Sequence, residues 1–257
     1  MKIFSLFFTH REIIWNLVNK NLRAKYAGSF LGMLWAFINP LLLALIISFV
    51  FTHILRMSST NFYLYILSGL LPWTFFAGSL QEAAMSIPAH AAVLKQFPLP
   101  REIIPLSVVL ANFVIFLIGL LAVLPLFIMI DVQRLMVLPL LGVALITLFI
   151  FTLGLSLVLS GLSVQWRDIT HMLNTFLTFW LWLTPVFYAV DIVPAEFRVV
   201  IDWNPFYPFL MLFRAALLNG VPWDFVEFGI SIALSMLALF TGAFIFLNKE
   251  HKFLQRI

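Results

Sequence analysis

Three cations, Lys20, Arg23 and Lys25, stand in the second half of the run REIIWNLVNKNLRAKY at 11–26. Along the same run Ile14, Leu17, Val18, Leu22 and Tyr26 recur at i, i+3/i+4 spacing, the pattern of an amphipathic helix. A helix of this kind lies in the plane of a membrane interface. Two partners suit its basic side: anionic lipid, which makes it a simple anchor, or the headgroup of an anionic substrate.

Other chemistries find no residues to carry them. No acidic pair stands in a DxxD, ExxE or HExxH arrangement, so no divalent-metal diphosphate site is visible. A G-x-x-x-x-G-K-[ST] phosphate loop is absent, so ATP is not bound by a Walker-type cradle. The five histidines at 10, 53, 90, 171 and 251 are scattered without ligand spacing, and there is no cysteine. We expect no metal, no cofactor and no catalytic site on this chain.

The elements that position these residues are membrane helices. Hydrophobic residues make up 63% of the 257, charged residues only 10%, and mean hydropathy is +1.07. A soluble domain is about 25% charged. Six segments reach the length of about 20 apolar residues that a hydrocarbon core requires: 33–55, 62–81, 103–130, 135–163, 172–190 and 225–247. Glu227, near one end, is their only acidic or basic residue. A charge at a helix centre costs about 2.5–3.5 kcal/mol on insertion, which explains the exclusion. Such spans also lack the ionisable relays of ion-driven transport, so any uphill movement must draw energy from a partner. The opening MKIFSLFF is too short for a signal-peptide core, and we expect it to be retained.

Eleven of the fifteen Lys and Arg fall in 1–32, 82–105, 164–171 and 248–257. These are expected to be cytoplasmic, with both termini on that side of a bacterial inner membrane. The inner-leaflet potential accounts for the net charge of +4, and nucleic acid is not expected as a partner.

The connection 82–105, EAAMSIPAHAAVLKQFPLPREIIP, predicts a short helix starting at Ser86 and stopped by Pro98 and Pro100. It reads equally as a stiff lever or as a solvated connector. Thr152, Ser156 and Ser160 share one helical face, for close packing between helices or for lining a polar pore. Asn39-Pro40, Gly69 with Pro72, and Pro185 should kink their spans. The segment 191–224 is too apolar for free solvent and too interrupted for one span. It predicts two short re-entrant helices broken near Asn204-Pro205. Trp180, Trp182, Phe187, Tyr188, Trp203, Phe206, Tyr207, Phe209 and Trp223 gather around it. They serve either as an interfacial belt or as walls for a passing sugar chain.

Several motifs, in order, resemble the permease subunit of type-2 ABC exporters, specifically the polysaccharide branch. They are Arg23-Ala24-Lys25-Tyr26 with Ser29, Leu31-Gly32, Trp35 and Asn39-Pro40, then Lys95-Gln96-Phe97-Pro98-Leu99-Pro100-Arg101-Glu102. After these come Gln165-Trp166-Arg167-Asp168-Ile169, Thr184-Pro185-Val186-Phe187-Tyr188, Val193-Pro194, Asn204-Pro205 and Arg214. Leu99 departs from the family's K-x-x-F-P-R-E pattern by standing before Pro100.

The resemblance implies an all-α polytopic membrane protein of six transmembrane helices acting as a homodimer, with a gate helix in 1–32, a transmembrane domain over 33–247 and a cytoplasmic tail at 248–257. Two copies of a separate ATPase, holding ATP and Mg, would dock beneath it. Ala89, His90, Leu94, Lys95, Phe97, Pro98, Arg101 and Glu102 would couple to that ATPase through the loop 82–105, and Arg167 and Asp168 through a second segment at 164–171. Lys20, Arg23, Lys25, Leu31 and Gly32 would admit a polyprenyl diphosphate headgroup. Trp182, Tyr188, Trp203 and Tyr207 would stack on the glycan, beside periplasmic gate helices in 191–223. Three rivals remain on sequence alone: a type-2 exporter of another cargo such as a drug or lipid, an intramembrane prenyl or glycan transferase, and a structural membrane protein.

Overall fold

A computed structural model describes residues 9–56, 61–96, 99–130, 138–166, 168–218, 221 and 224–256, and every regular element among them is helical. Phe97, Pro98, Arg167 and Trp223, named above, lie outside the described residues. In chain order the helices are α1 (Arg11–Tyr26), α2 (Trp35–Phe49), α3 (Phe62–Ala89), α4 (Ala91–Gln96), α5 (Ile103–Ile130), α6 (Leu138–Ser163), α7 (Ile169–Leu183), α8 (Arg198–Asp202), α9 (Tyr207–Leu217) and α10 (Phe225–Arg256). Short 3-10 turns at Gly32–Leu34, Val190–Ile192 and Ala195–Phe197 join them, and a π turn at Val50–Ile54 extends α2.

Five of these helices are long and apolar enough to cross a membrane, namely α2 with its flanking turns, α3, α5, α6 and α10. The chain is a multi-pass membrane protein. Its segment 172–190 departs from expectation, because α7 stops at Leu183. Thr184 is extended (φ −91°, ψ 131°), as a residue before proline prefers to be, and Pro185 lacks the N–H that a further helical turn needs. Pro185 therefore ends its helix instead of kinking it. Fifteen residues of α7 rise only about 22 Å, against a core of about 30 Å.

The region after residue 81 also differs. α3 runs on to Ala89, with Ser86 inside it, where its hydroxyl donates to the Ala83 carbonyl 2.7 Å away. Ser86 therefore starts no helix, and the short helix is α4, set off by the break at His90. The stretch continues the helix because Gln, Glu, Ala and Met are strong helix formers. At the other end α10 carries the helix through the expected tail to Arg256.

α3 is the central element, packed against α2, α5, α6, α7 and α9. Ile66, Leu67, Leu71, Phe76, Leu80 and Ile87 on it are fully buried. Between membrane helices the driving force is close packing rather than water exclusion, and small residues set the approach. A Cβ on Gly154 would meet the Ala238 carbonyl carbon at 2.3 Å. At this crossing α6 and α10 touch backbone to backbone. Ser235 locks it by donating to the Thr147 carbonyl at 2.7 Å. Thr152, Ser156 and Ser160 are all fully buried, with Thr152 and Ser160 bonded to carbonyls of their own helix. The hydroxyl face thus serves packing within this chain.

Candidate functional site

Two clusters of polar side chains hold the bundle together, one at each end of α3. The first forms where α1 meets α3 and α5. Ile14, Val18 and Leu22 bury the apolar face of α1, which packs along α5; Lys25, seven residues after Val18, extends this face, whereas Lys20 lies on the opposite side. Lys25 Nζ lies 2.7 Å from Glu82 Oε1 and donates to Asn112 Oδ1. Asn112 Nδ2 donates in turn to Glu82 Oε2 at 3.0 Å. Asn21 Nδ2 reaches Ser107 Oγ at 3.5 Å. Burial, and next the charge of Glu82, push the Tyr26 phenol above its ordinary value of 10, so it stays protonated.

Lys20 Nζ sits 3.3 Å from His90 Nε2. The His90 Nδ1 lies 2.9 Å from the Ser86 carbonyl. A carbonyl only accepts, so Nδ1 carries the proton and Nε2 accepts from Lys20. α1 is therefore tied both to the last turns of α3 and to the break from which α4 starts. Arg23 is exposed. Leu31 and Gly32 follow in a turn where Gly32 has φ +50°, a backbone L side chains rarely adopt, and its N–H donates to Ser29 Oγ at 3.2 Å.

Of the residues expected to couple to an ATPase, Ala89 and Lys95 are exposed, while Leu94 and Glu102 are buried. Arg101 is half-buried, and Asp168 is exposed at the start of α7. The sequence reading missed Glu82 and Asn112. A lone Asn inside the apolar run 103–130, and an acid directly after a span, were the available signals.

The second cluster forms an elbow between α7, α9 and α3. Trp180 Nε1 donates to Asn204 Oδ1, and Asn204 Nδ2 donates to Thr184 Oγ1, each at 2.8 Å. Thr184 Oγ1 donates back to the Trp180 carbonyl at 2.8 Å, and the Phe206 N–H donates to Asn204 Oδ1 at 3.0 Å. Asn204 so joins the end of α7 to the start of α9. Arg214, 1% exposed, donates to the Pro185 carbonyl at 2.5 Å, and its guanidinium lies 3.9 Å from the Tyr65 ring centroid. Tyr65 Oη donates to the Tyr188 carbonyl at 3.1 Å. A Cβ on Gly69 would stand 2.8 Å from Leu210 Cδ1 and 3.3 Å from Val186 Cγ1, so glycine admits both the elbow and α9.

Of the four aromatic glycan candidates, Trp182 and Trp203 are 61% and 83% exposed, while Tyr188 and Tyr207 are half-buried. Beside them a cavity of about 240 Å³ runs between α7 and the α8–α9 break, lined by Phe176, Phe179, Trp180, Leu183, Val200, Asn204 and Pro205. Among the described residues no group of three His, Cys, Asp or Glu is placed to hold a metal ion.

Residues 12–218 match the model of the ABC-2 type transporter family. The chain belongs to that family. The matched stretch takes in both clusters of this ABC-2 chain and every candidate site residue. Among proteins it resembles, an O-antigen export system permease protein RfbA of Klebsiella pneumoniae is 32% identical over 207 residues, covering 80% of either chain. One of the same name from Myxococcus xanthus is 29% identical over 252 residues, covering 97% of both. The family places the ABC-2 chain among transport proteins, and both relatives are named as permeases.

Proposed function

We propose that this chain is the transmembrane permease of an ATP-driven exporter that moves lipid-linked polysaccharide, such as O-antigen, from cytoplasm to periplasm. The observation that carries the reading is the similarity over 97% of both chains to a protein named as an O-antigen export permease. In the working complex two copies of this chain enclose the path, and two cytoplasmic ATPase subunits bind beneath it. ATP and Mg belong to those subunits. The chain lies in the inner membrane with both termini cytoplasmic, and α7 with its elbow completes a sixth span.

The geometry supports roles for the two clusters. α4 and the residues through Glu102 seat in the ATPase, with the segment around Asp168 as a second contact. Closure of the ATPase pair displaces α4, and α1 moves with it through Lys20 and His90. The permease halves then shift as rigid units. Lys20, Arg23 and Lys25 receive the lipid diphosphate, since cations with several donors match phosphate oxygens. Trp182, Tyr188, Trp203 and Tyr207 stack on the sugar, and α8 and α9 gate the periplasmic side.

The test is co-expression with the ATP-binding protein encoded beside this chain, followed by purification through a tag on that partner. We expect both proteins at equal stoichiometry, with the association lost when residues 95–102 become a Gly/Ser linker. A chain that purifies alone, with no ATP-binding partner engaging it, would remove the exporter reading.

A further inference from the structure

The three groups Lys25, Glu82 and Asn112 form a closed polar triangle on three different helices, at the place where an anionic headgroup is proposed to enter. Lys25 has one strong anionic partner in it, the Glu82 carboxylate at 2.7 Å. Asn112, 6% exposed, orients both partners, accepting from Lys25 with its Oδ1 and donating to Glu82 with its Nδ2. The pair is not sealed: the Lys25 and Glu82 side chains are 27% and 40% exposed, so an anion arriving from the interface can reach the ammonium.

We infer that Glu82 is a placeholder anion, an internal competitor that occupies Lys25 until a diphosphate displaces it. The inference rests on the proposal that this end admits a lipid diphosphate. A carboxylate brings one charge and two acceptor oxygens; a diphosphate brings more of both, so it wins the cation. Displacement frees Glu82, which sits on the last two turns of α3, and these turns end at His90, the residue that takes Lys20 and opens α4. Arrival of a headgroup at Lys25 therefore loosens the hold of α1 on the segment proposed to seat in the ATPase. The device makes occupied permease easier to move than empty permease, and so favours ATP use when cargo is present. A ligand that must first break an internal contact pays for it in apparent affinity. An ion pair this exposed is worth about 0.2–1 kcal/mol.

The experiment measures ATPase activity of the complete complex with its ATPase partner, in vesicles of phosphatidylethanolamine and phosphatidylglycerol. Undecaprenyl diphosphate is titrated in one arm and inorganic pyrophosphate in the other, which separates a lipid headgroup from a free anion. With Glu82→Gln, the amide keeps the shape and the Asn112 contact but loses the charge. The half-stimulating concentration of undecaprenyl diphosphate should fall by about 1.5- to 5-fold, the equivalent of one exposed ion pair, and activity without it should rise. A variant merely damaged in structure would not gain affinity. The exchanged pair Lys25→Glu with Glu82→Lys should restore low basal activity and answer the diphosphate poorly. A half-stimulating concentration that is unchanged or higher in Glu82→Gln, with the wild type clearly stimulated, overturns the placeholder role alone. A wild-type complex that responds to neither probe overturns the diphosphate reading together with it.

Discussion

The guanidinium of Arg214 sits over Tyr65, 3.9 Å from its ring centroid, and donates to the Pro185 and Val186 carbonyls. Among the described residues no acid comes within ion-pair distance of it. A buried cation without a carboxylate is costly, and here carbonyl oxygens and an aromatic face replace the counter-ion. Arg214 thereby pins the elbow after α7 to both α3 and α9. Arg214→Ala should leave those carbonyls unpartnered and destabilise the chain by about 2–5 kcal/mol. Arg214→Lys should recover only part of this, because an ammonium lacks the planar fork. Thermal unfolding of the purified complex reads both, and an Ala variant that melts like the wild type would remove the pin.

Asn204 makes a similar prediction by a different route. Its side chain satisfies Trp180, Thr184 and the Phe206 N–H together. Asn204→Ala should expose 190–206 to proteolysis from the outer side while α2 to α6 stay protected. Equal cleavage in both proteins would show that the elbow is held elsewhere.

The α6–α10 crossing should tolerate no added carbon at Gly154, where backbone meets backbone. Gly154→Ala is expected to cost about 1–3 kcal/mol, and Gly154→Leu to abolish accumulation of folded protein in the membrane. Quantified membrane-fraction yield decides this, with Gly142→Leu, where a Cβ meets nothing, as the tolerated control.

Trp182 and Trp203 separate the sugar wall from the interfacial belt. Both are well exposed, so Trp182→Ala and Trp203→Ala should change stability by less than about 0.5 kcal/mol. If the rings stack on polymer, each loss should slow export about two- to tenfold, since an aromatic contact is worth about 0.5–1.5 kcal/mol. Normal export from both variants assigns these residues to the belt.

Much of this architecture was legible in the sequence because charge exclusion from lipid is severe. α2, α3, α5, α6 and α10 occupy stretches that hydropathy alone delimits at one end or both. The break at Asn204-Pro205 was legible too, since a proline and a short apolar run admit few alternatives. Boundaries beyond the hydrocarbon were not. The helix continues through Glu82 to Ala89, and α4 starts after the break at His90 rather than at Ser86 or Pro88. Pairings at long range escape periodicity altogether: Lys20 finds His90 across 70 residues, and Lys25 finds Asn112 across 87. Hydropathy measures the lipid a residue tolerates, not the neighbour that satisfies it. For the same reason the cations of α1 read as a free basic face, whereas two of them are already engaged inside the chain.

The most direct test of export itself is to delete the gene for this chain in its native cell and follow the lipid-linked polymer. Polymer should accumulate at the cytoplasmic face, still attached to its lipid, and the surface should be depleted of it until the intact gene is returned. Normal amounts of polymer at the surface without this chain would show that it is not the export permease.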